Sequence, residues 1–332
     1  MKRRAFLTGL GACAIAAGCA NPRNTVKIGM STPGDPANNG VYAWIDAFMK
    51  TLDAAGMRVE AFPNSTIGGE RERVMQLRMG LLEVNSTGGD EVNRWSPMAA
   101  AGAHPFLIDT YSHLDRLLGD TPYIERISND FERYGFRLVD FAYTGSMVGL
   151  FTRGRPVRTL ADLRQLRLRV LSAADMGLLR AWNVRGVQVA WEEVAQALQT
   201  GMVDAYLNPP NIAPMFGHGA VLDYFTDLRM GPATRVIIIS TRWMDSLSAE
   251  QREIVGRAVA AGRSANRQWT RDVEKRDRER LEKTGIEWIT LTSAERAEWF
   301  EASRAIPPSR WETDEANAQF RRWIYETKEA KG

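Results

Sequence analysis

RTLADLRQLRLRVLSAADMGLLRAWNVRGVQVAWEEVAQALQTGMVDAYLNP, Arg158 to Pro209, is the stretch whose reading decides the fold. Alternation in Leu166-Arg167-Leu168-Arg169-Val170 predicts a strand with Leu166, Leu168 and Val170 on one face and Arg167 and Arg169 on the other. Met202 to Pro209 reads as a second short strand, stopped by Pro209 and Pro210. Trp191 to Met202 between them reads as a helix. An arginine at the end of one strand and an asparagine, Asn208, at the end of the other can converge on a single carboxylate.

Outward from that stretch the pattern is α/β. Val26 to Met30, Met57 to Phe62 and Leu81 to Asn85 read as strands separated by a helix over Asn39–Ala54 and one that Gly68 to Arg73 opens and that runs through Gly80. This order argues for a parallel sheet with its sites at the strand C-termini. Gly135 to Tyr143 and Val148 to Arg153 read as further strands, the latter crossing between lobes. The β-branched run Val236-Ile237-Ile238-Ile239 is another strand. Ser248 to Thr284 has one long helical pattern, with Ser248 and Gln251 as a capping box and Gly285 at its end. Ser293 to Lys328 is helical apart from Pro307-Pro308.

The 332 residues are 44% hydrophobic and 25% charged, which is globular composition at a length that suits two domains. A formal net charge of +3, spread over mixed signs, points neither to nucleic acid nor to a polybasic membrane patch. Residues 1–24 read as an export leader and linker. Lys2-Arg3-Arg4 precedes a short apolar run, and Arg3-Arg4-Ala5-Phe6-Leu7 looks like a twin-arginine signal. Ala16-Ala17-Gly18-Cys19 resembles a lipobox that would lipidate Cys19, although Ala16 stands where leucine is usual. The alternative is an ordinary cleaved signal. Both cysteines, Cys13 and Cys19, lie in this leader, so the mature chain has no disulfide and no thiolate chemistry. His104, His113 and His218 lack metal-ligand spacing, and no metal or cofactor is expected. No phosphate-binding glycine motif and no nucleophile elbow stands out.

With these residues laid out, the chain resembles the solute-binding proteins of TRAP (tripartite ATP-independent periplasmic) transporters from about Val26 onward. The resemblance rests on Pro63 with Ile67-Gly68-Gly69-Glu70-Arg71, on Pro105-Phe106-Leu107, and on Pro156-Val157 with Asp162 to Val170. Glu193 to Ala205 and Asn208-Pro209 complete it. The resemblance implies a two-lobe periplasmic-binding-protein-like α/β fold with crossing strands and a long connecting helix. It places lobe I in 25–147 plus 235–272 and lobe II in 148–234 plus 273–332. It further implies capture of an organic acid in the interlobe cleft, delivery to membrane permease subunits, no catalysis, and a periplasmic location with membrane contact through a lipid anchor. By position Arg169 matches the arginine that pairs with the ligand carboxylate, and Asn208 a further ligand contact. A guanidinium suits this task because its planar fork donates two parallel hydrogen bonds.

Departures from the pattern accompany the match. The segment Gly145 to Phe151 lacks the arginine that many members carry there, and Ala195, Ala205, Tyr206 and Leu207 replace usual residues. These changes predict a less charged pocket for a ligand with one carboxylate and an apolar or aromatic remainder.

Other candidates carry plainer alternatives. Glu70 can contact the ligand or a cation, or serve the helix dipole. Asn39 and Tyr42 can line the cleft, or be a helix cap and a surface ring. Ser86 and Thr87 can offer hydroxyls, or be loop residues. Trp191 can form a cleft wall or fill the core, and Tyr206 reads as core. The competing functions are an exported enzyme on the same scaffold, a ligand-presenting sensor, and a binder of neutral sugars.

Overall fold

The structure, a computed structural model, describes residues 25–171 and 175–329. The leader, with Cys19 and the twin-arginine-like motif, lies outside the described residues. Among those described, the strands are β1 (Val26–Gly29), β2 (Val59–Phe62), β3 (Val84–Thr87), β4 (Phe136–Met147), β5 (Gly149–Thr152), β6 (Arg167–Val170), β7 (Arg185–Gln188), β8 (Ala205–Asn208), β9 (Tyr224–Asp227), β10 (Pro232–Ser240) and β11 (Glu287–Thr290). They form two sheets, ordered β2-β1-β3-β10-β4 and β11-β9-β5-β8-β6-β7, each the centre of one lobe.

In the first lobe β1, β2 and β3 are parallel, as the alternation of strands and helices predicts. β10 and β4 then add antiparallel pairs, so the sheet is mixed. β10 explains its own composition. Val236 and Ile238 enter one apolar core, Ile237 and Ile239 the opposite one, and all four are fully buried. A strand covered on both faces needs apolar residues at every position.

The helix Gly40–Ala54 packs on the long helix Ala249–Glu274. They approach closely because Gly262 has no side chain: a Cβ there would lie 2.8 Å from the Trp44 ring. The Ser248 cap forms as expected, its Oγ accepting from Gln251 N at 3.1 Å. The expected single helix to Thr284 is instead interrupted, and a separate helix runs Asp277–Glu282. Asp277 is buried at that break and accepts a hydrogen bond from Ser146 of β4.

Besides the crossing at Pro307-Pro308, three connections join the lobes. β4 passes into β5 through Val148, and β9 returns to β10 through Gly231; the two chains bond where they cross, Val148 N to Gly231 O at 2.9 Å and Met230 N to Val148 O at 3.0 Å. The long helix is the third. Phe106, at φ 57°, adds a bond from its N–H to Met230 O at 2.6 Å, and its ring meets Phe300 edge-on.

One assignment differs from expectation. Within 273–332, the helix Ser293–Ser303 packs in the second lobe, where Trp299 meets Trp182. Beyond Pro307-Pro308, however, Trp311, Phe320 and Ile324 enter the first lobe's core beside Leu114 and Ile127. The prolines carry the chain across, and its apolar stripe covers the helices of 111–132.

Candidate functional site

A cleft of about 1300 Å³ opens between the lobes, lined from both sheets. Arg169 stands on the second-lobe wall. Leu168 and Val170 are buried in that lobe's core, which turns Arg169 to the opposite face of β6. Its Nε donates to Val189 O at 2.9 Å. Its Nη2 is buried with no hydrogen-bond partner among the described residues. Burial lowers its pKa from the ordinary value, with Asp175 opposing that shift. A fixed guanidinium with a free donor is prepared for an anion, because an unpaired buried donor is costly until something accepts from it.

The same wall carries Asn208 and Trp191. Asn208 closes β8 opposite Gly149 of β5 and lines the cleft. Trp191 is half-buried, edge-on to Phe216 at 4.9 Å, and the Arg169 guanidinium lies 5.7 Å from its ring centroid. Val148, Leu207, Ile212 and Met230 add apolar surface to this side, beside the charged Asp175, Arg180 and Glu192. Tyr206 is fully buried, with its hydroxyl 3.1 Å from His218 Nδ1.

The first-lobe wall is polar. Glu70 begins the helix Glu70–Met79 and accepts four hydrogen bonds: from Ser31 Oγ at 2.6 Å, Gly88 N at 2.9 Å, Thr87 Oγ1 at 3.1 Å, and Arg235 Nη2. Burial pushes its pKa up, but the Arg235 charge and these donors outweigh burial and hold it at about 2. Asp90 lines the cleft beside it. Burial, then repulsion from Glu70, raises Asp90 to about 6. Behind them Arg73 is fully buried and donates to Asn85 Oδ1, Ser65 Oγ, Gly68 O and Ser31 Oγ, fixing the loop that leads into the helix.

Arg169, Asn208, Glu70 and Trp191 therefore meet in one cleft. Three other candidates do not line it. Asn39 is fully buried as a helix cap, accepting from Val41 N at 3.1 Å and donating to Pro33 O at 2.7 Å, so its amide is already used. Tyr42 packs against the first lobe's core beside Gly34. Ser86 is buried in β3, paired with Ile237; its neighbour Thr87 turns the other way to Glu70. The expectation of a weakly charged pocket fails on the first-lobe wall, where Asp90 and Arg235 were not singled out from sequence. A lone arginine at the head of the β-branched strand and an acid after Gly88-Gly89 were the available signals.

Among the described residues no group of three or more His, Cys, Asp or Glu side chains is placed to hold a metal ion. No helix among them is long and apolar enough to cross a membrane.

Residues 29–313 match the family described as bacterial extracellular solute-binding protein, family 7. The sialic acid-binding periplasmic protein SiaP of Vibrio cholerae is 24% identical over 248 residues, which cover 74% of this chain and 76% of that protein. The 2,3-diketo-L-gulonate-binding periplasmic protein YiaO of Escherichia coli is 21% identical over 287 residues, 86% of each. A TRAP periplasmic solute-binding protein from Anaerococcus prevotii, solved with bound glucuronate, superposes with a TM-score of 0.82 at 19% identity, covering 92% of this chain and 98% of its own.

Proposed function

The chain belongs to the family 7 extracellular solute-binding proteins, the solute receptors that work with TRAP membrane permeases, and from that premise we propose that it captures a small organic acid through Arg169. The carrying observation is the guanidinium on the cleft wall whose Nη2 lacks a partner among the described residues. A carboxylate supplies the missing acceptor, and Asn208 adds an amide to it. Trp191, Leu207 and Met230 cover the ligand's apolar parts, so orientation comes from the charged anchor and selectivity from the cleft's shape.

Binding then closes the lobes about the Val148–Gly231 crossing, a hinge motion. Lobe I comprises 25–147, 235–272 and 310–329; lobe II comprises 148–234 and 273–309. The protein performs no chemistry on its ligand and hands it to the permease from the periplasm. The relatives' printed ligands support the acid class, as does the glucuronate of the Anaerococcus prevotii protein. The leader's twin-arginine-like motif and Cys19 support export and a lipid anchor. Cys19→Ala in the full chain then moves the protein from the membrane to the soluble fraction, and an unchanged distribution removes the anchor from this reading.

A thermal-shift screen over mono- and dicarboxylates, keto acids, sugars and amino acids tests the function, because a ligand that binds only the native state raises apparent stability. Stabilisation by carboxylates alone is the expected outcome. Stabilisation confined to neutral sugars, or product formed from a candidate acid, contradicts it.

A further inference from the structure

We infer that Asn211, through its bond to the Thr144 carbonyl, latches the lobes in an unclosed arrangement, and that a ligand must break this latch to close the cleft. The role in binding rests on the reading of the cleft as the place of acid capture. The latch itself rests on the geometry at the end of β4.

That end is left open by its own sheet. Pairing with β10 passes from Tyr143–Thr234 to Met147–Pro232, so Thr144, Gly145 and Ser146 stand opposite Ala233 alone. A bulge leaves residues outside the ladder, and groups from elsewhere take them up. The Tyr111 hydroxyl donates to Gly145 O. Asn211 Nδ2 donates to Thr144 O at 3.0 Å, and Ser146 Oγ donates to Asp277. Asn211 and Asp277 both come from the other lobe. Asn211 follows β8 of the second sheet and precedes Ile212, and Asp277 opens the helix that carries Leu281; Ile212 and Leu281 share one core there. Side chains of the second lobe thus hold a first-lobe strand just before it crosses at Val148.

Asn211 is closely seated. It is buried, and a Cβ on Gly145 would overlap its amide, lying 2.6 Å from Cγ. Glycine at 145 is what lets the second lobe come so near to β4. The seat satisfies only half of the amide, because Asn211 Oδ1 is buried with no hydrogen-bond partner among the described residues. An unpaired buried acceptor costs free energy for as long as the lobes stay in this arrangement. The latch is therefore weak enough for a ligand to undo.

The latch cannot follow β4 when the lobes turn. Pro209 and Pro210 fix φ at two successive positions before it, and Ile212 N closes the turn on Pro209 O at 3.1 Å. Residues 208–212 therefore move as one piece with the second lobe. Thr144, Asn208 and Ile212 line the cleft, whereas Gly145 and Asn211 are not among its lining residues. The cleft, at about 1300 Å³, exceeds the ~300–1,000 Å³ that enclose a small molecule. Closing it on a ligand rotates β4 against a stiff turn, and the Asn211–Thr144 bond breaks. Affinity is reduced by the share of molecules that the latch keeps unclosed.

The test combines calorimetry, using the acid that stabilises the unaltered protein most, with small-angle scattering of Asn211→Ala, Gly145→Ala and the double variant. Each single variant is expected to bind the acid ~2- to 10-fold tighter, the weight of one neutral hydrogen bond. The double variant should bind no tighter than the better single one, since both changes remove the same contact. The unliganded radius of gyration should fall toward the liganded value, which stays the same; a merely structural role would lower Tm and leave both radii unmoved. Asn211→Ala keeps the test open if Gly145→Ala does not fold, as judged by circular dichroism. Unchanged or weaker binding in folded variants overturns the latch, and so do gains that add in the double variant. If no acid binds the unaltered protein, the reading of the cleft falls instead; the unliganded radius then decides the latch alone, and an unchanged radius overturns it.

Discussion

The guanidinium of Arg169 lies over the indole of Trp191, 5.7 Å from its centroid, while its Nε is tied to the Val189 carbonyl at 2.9 Å. The backbone bond sets the height of the arginine and the ring sets its tilt. Together they leave Nη2 as the donor still to be used.

Trp191→Ala removes that ring and one side of Phe216's packing. A cation–π contact is worth about 0.5–2 kcal/mol, so acid affinity should fall about 3- to 30-fold. Calorimetry of Trp191→Ala and Trp191→Phe checks this, with the phenylalanine variant retaining part of the effect. Equal affinity in all three proteins would remove Trp191 from the site.

Two glycines of the long helix should respond oppositely to alanine. Gly262→Ala places a Cβ 2.8 Å from the Trp44 ring and 2.9 Å from its carbonyl oxygen. Separating two packed helices costs about 1–3 kcal/mol, more than the gain in helix propensity. Gly256→Ala meets nothing within 4 Å and should stabilise by about 0.5–1 kcal/mol from propensity alone. Denaturant unfolding of both variants reads the two signs directly.

Asp277 makes stability depend on pH. Burial raises its pKa from 3.8 to about 6, against the opposing Ser146 bond and Arg280 charge. The folded state therefore holds this proton more tightly than the unfolded state. Stability falls as pH rises from about 4 through 6 and stays lower above that. Asp277→Asn keeps an acceptor for Ser146 and removes the charge. It should raise stability at pH 8 by on the order of 2–3 kcal/mol and flatten the Tm–pH profile between pH 4 and 7. Asp90, also raised to about 6, contributes a residual slope of the same sign. A profile in Asp277→Asn that overlays the unaltered protein's would contradict the assignment.

These positions show what sequence alone reveals. Local patterns were readable: the doubly buried β10, the Ser248–Gln251 cap, and the alternation that turns Arg169 away from Leu168 and Val170. Features that depend on distant partners were not. Arg235 and Asp90 come together with Glu70 only because β10 and β3 are sheet neighbours, and nothing local to either residue records that. Asn39 looked available because a helix cap and a ligand contact call for the same polar residue at the same loop–helix junction. The helix break at 275–276 reflects Asp277 reaching Ser146, a contact 131 residues away in the chain.

The measurement closest to the central claim is calorimetric titration of Arg169→Ala beside the unaltered protein, using the acid that stabilises the latter most. Losing one or two charge-assisted hydrogen bonds, at about 1.5–3 kcal/mol each, should weaken binding at least ~10-fold. The unliganded Tm should fall only modestly: Nη2 has no partner among the described residues to lose, although the Nε bond to Val189 O and the Trp191 contact go with the side chain. Undiminished affinity in a folded Arg169→Ala protein would contradict the account.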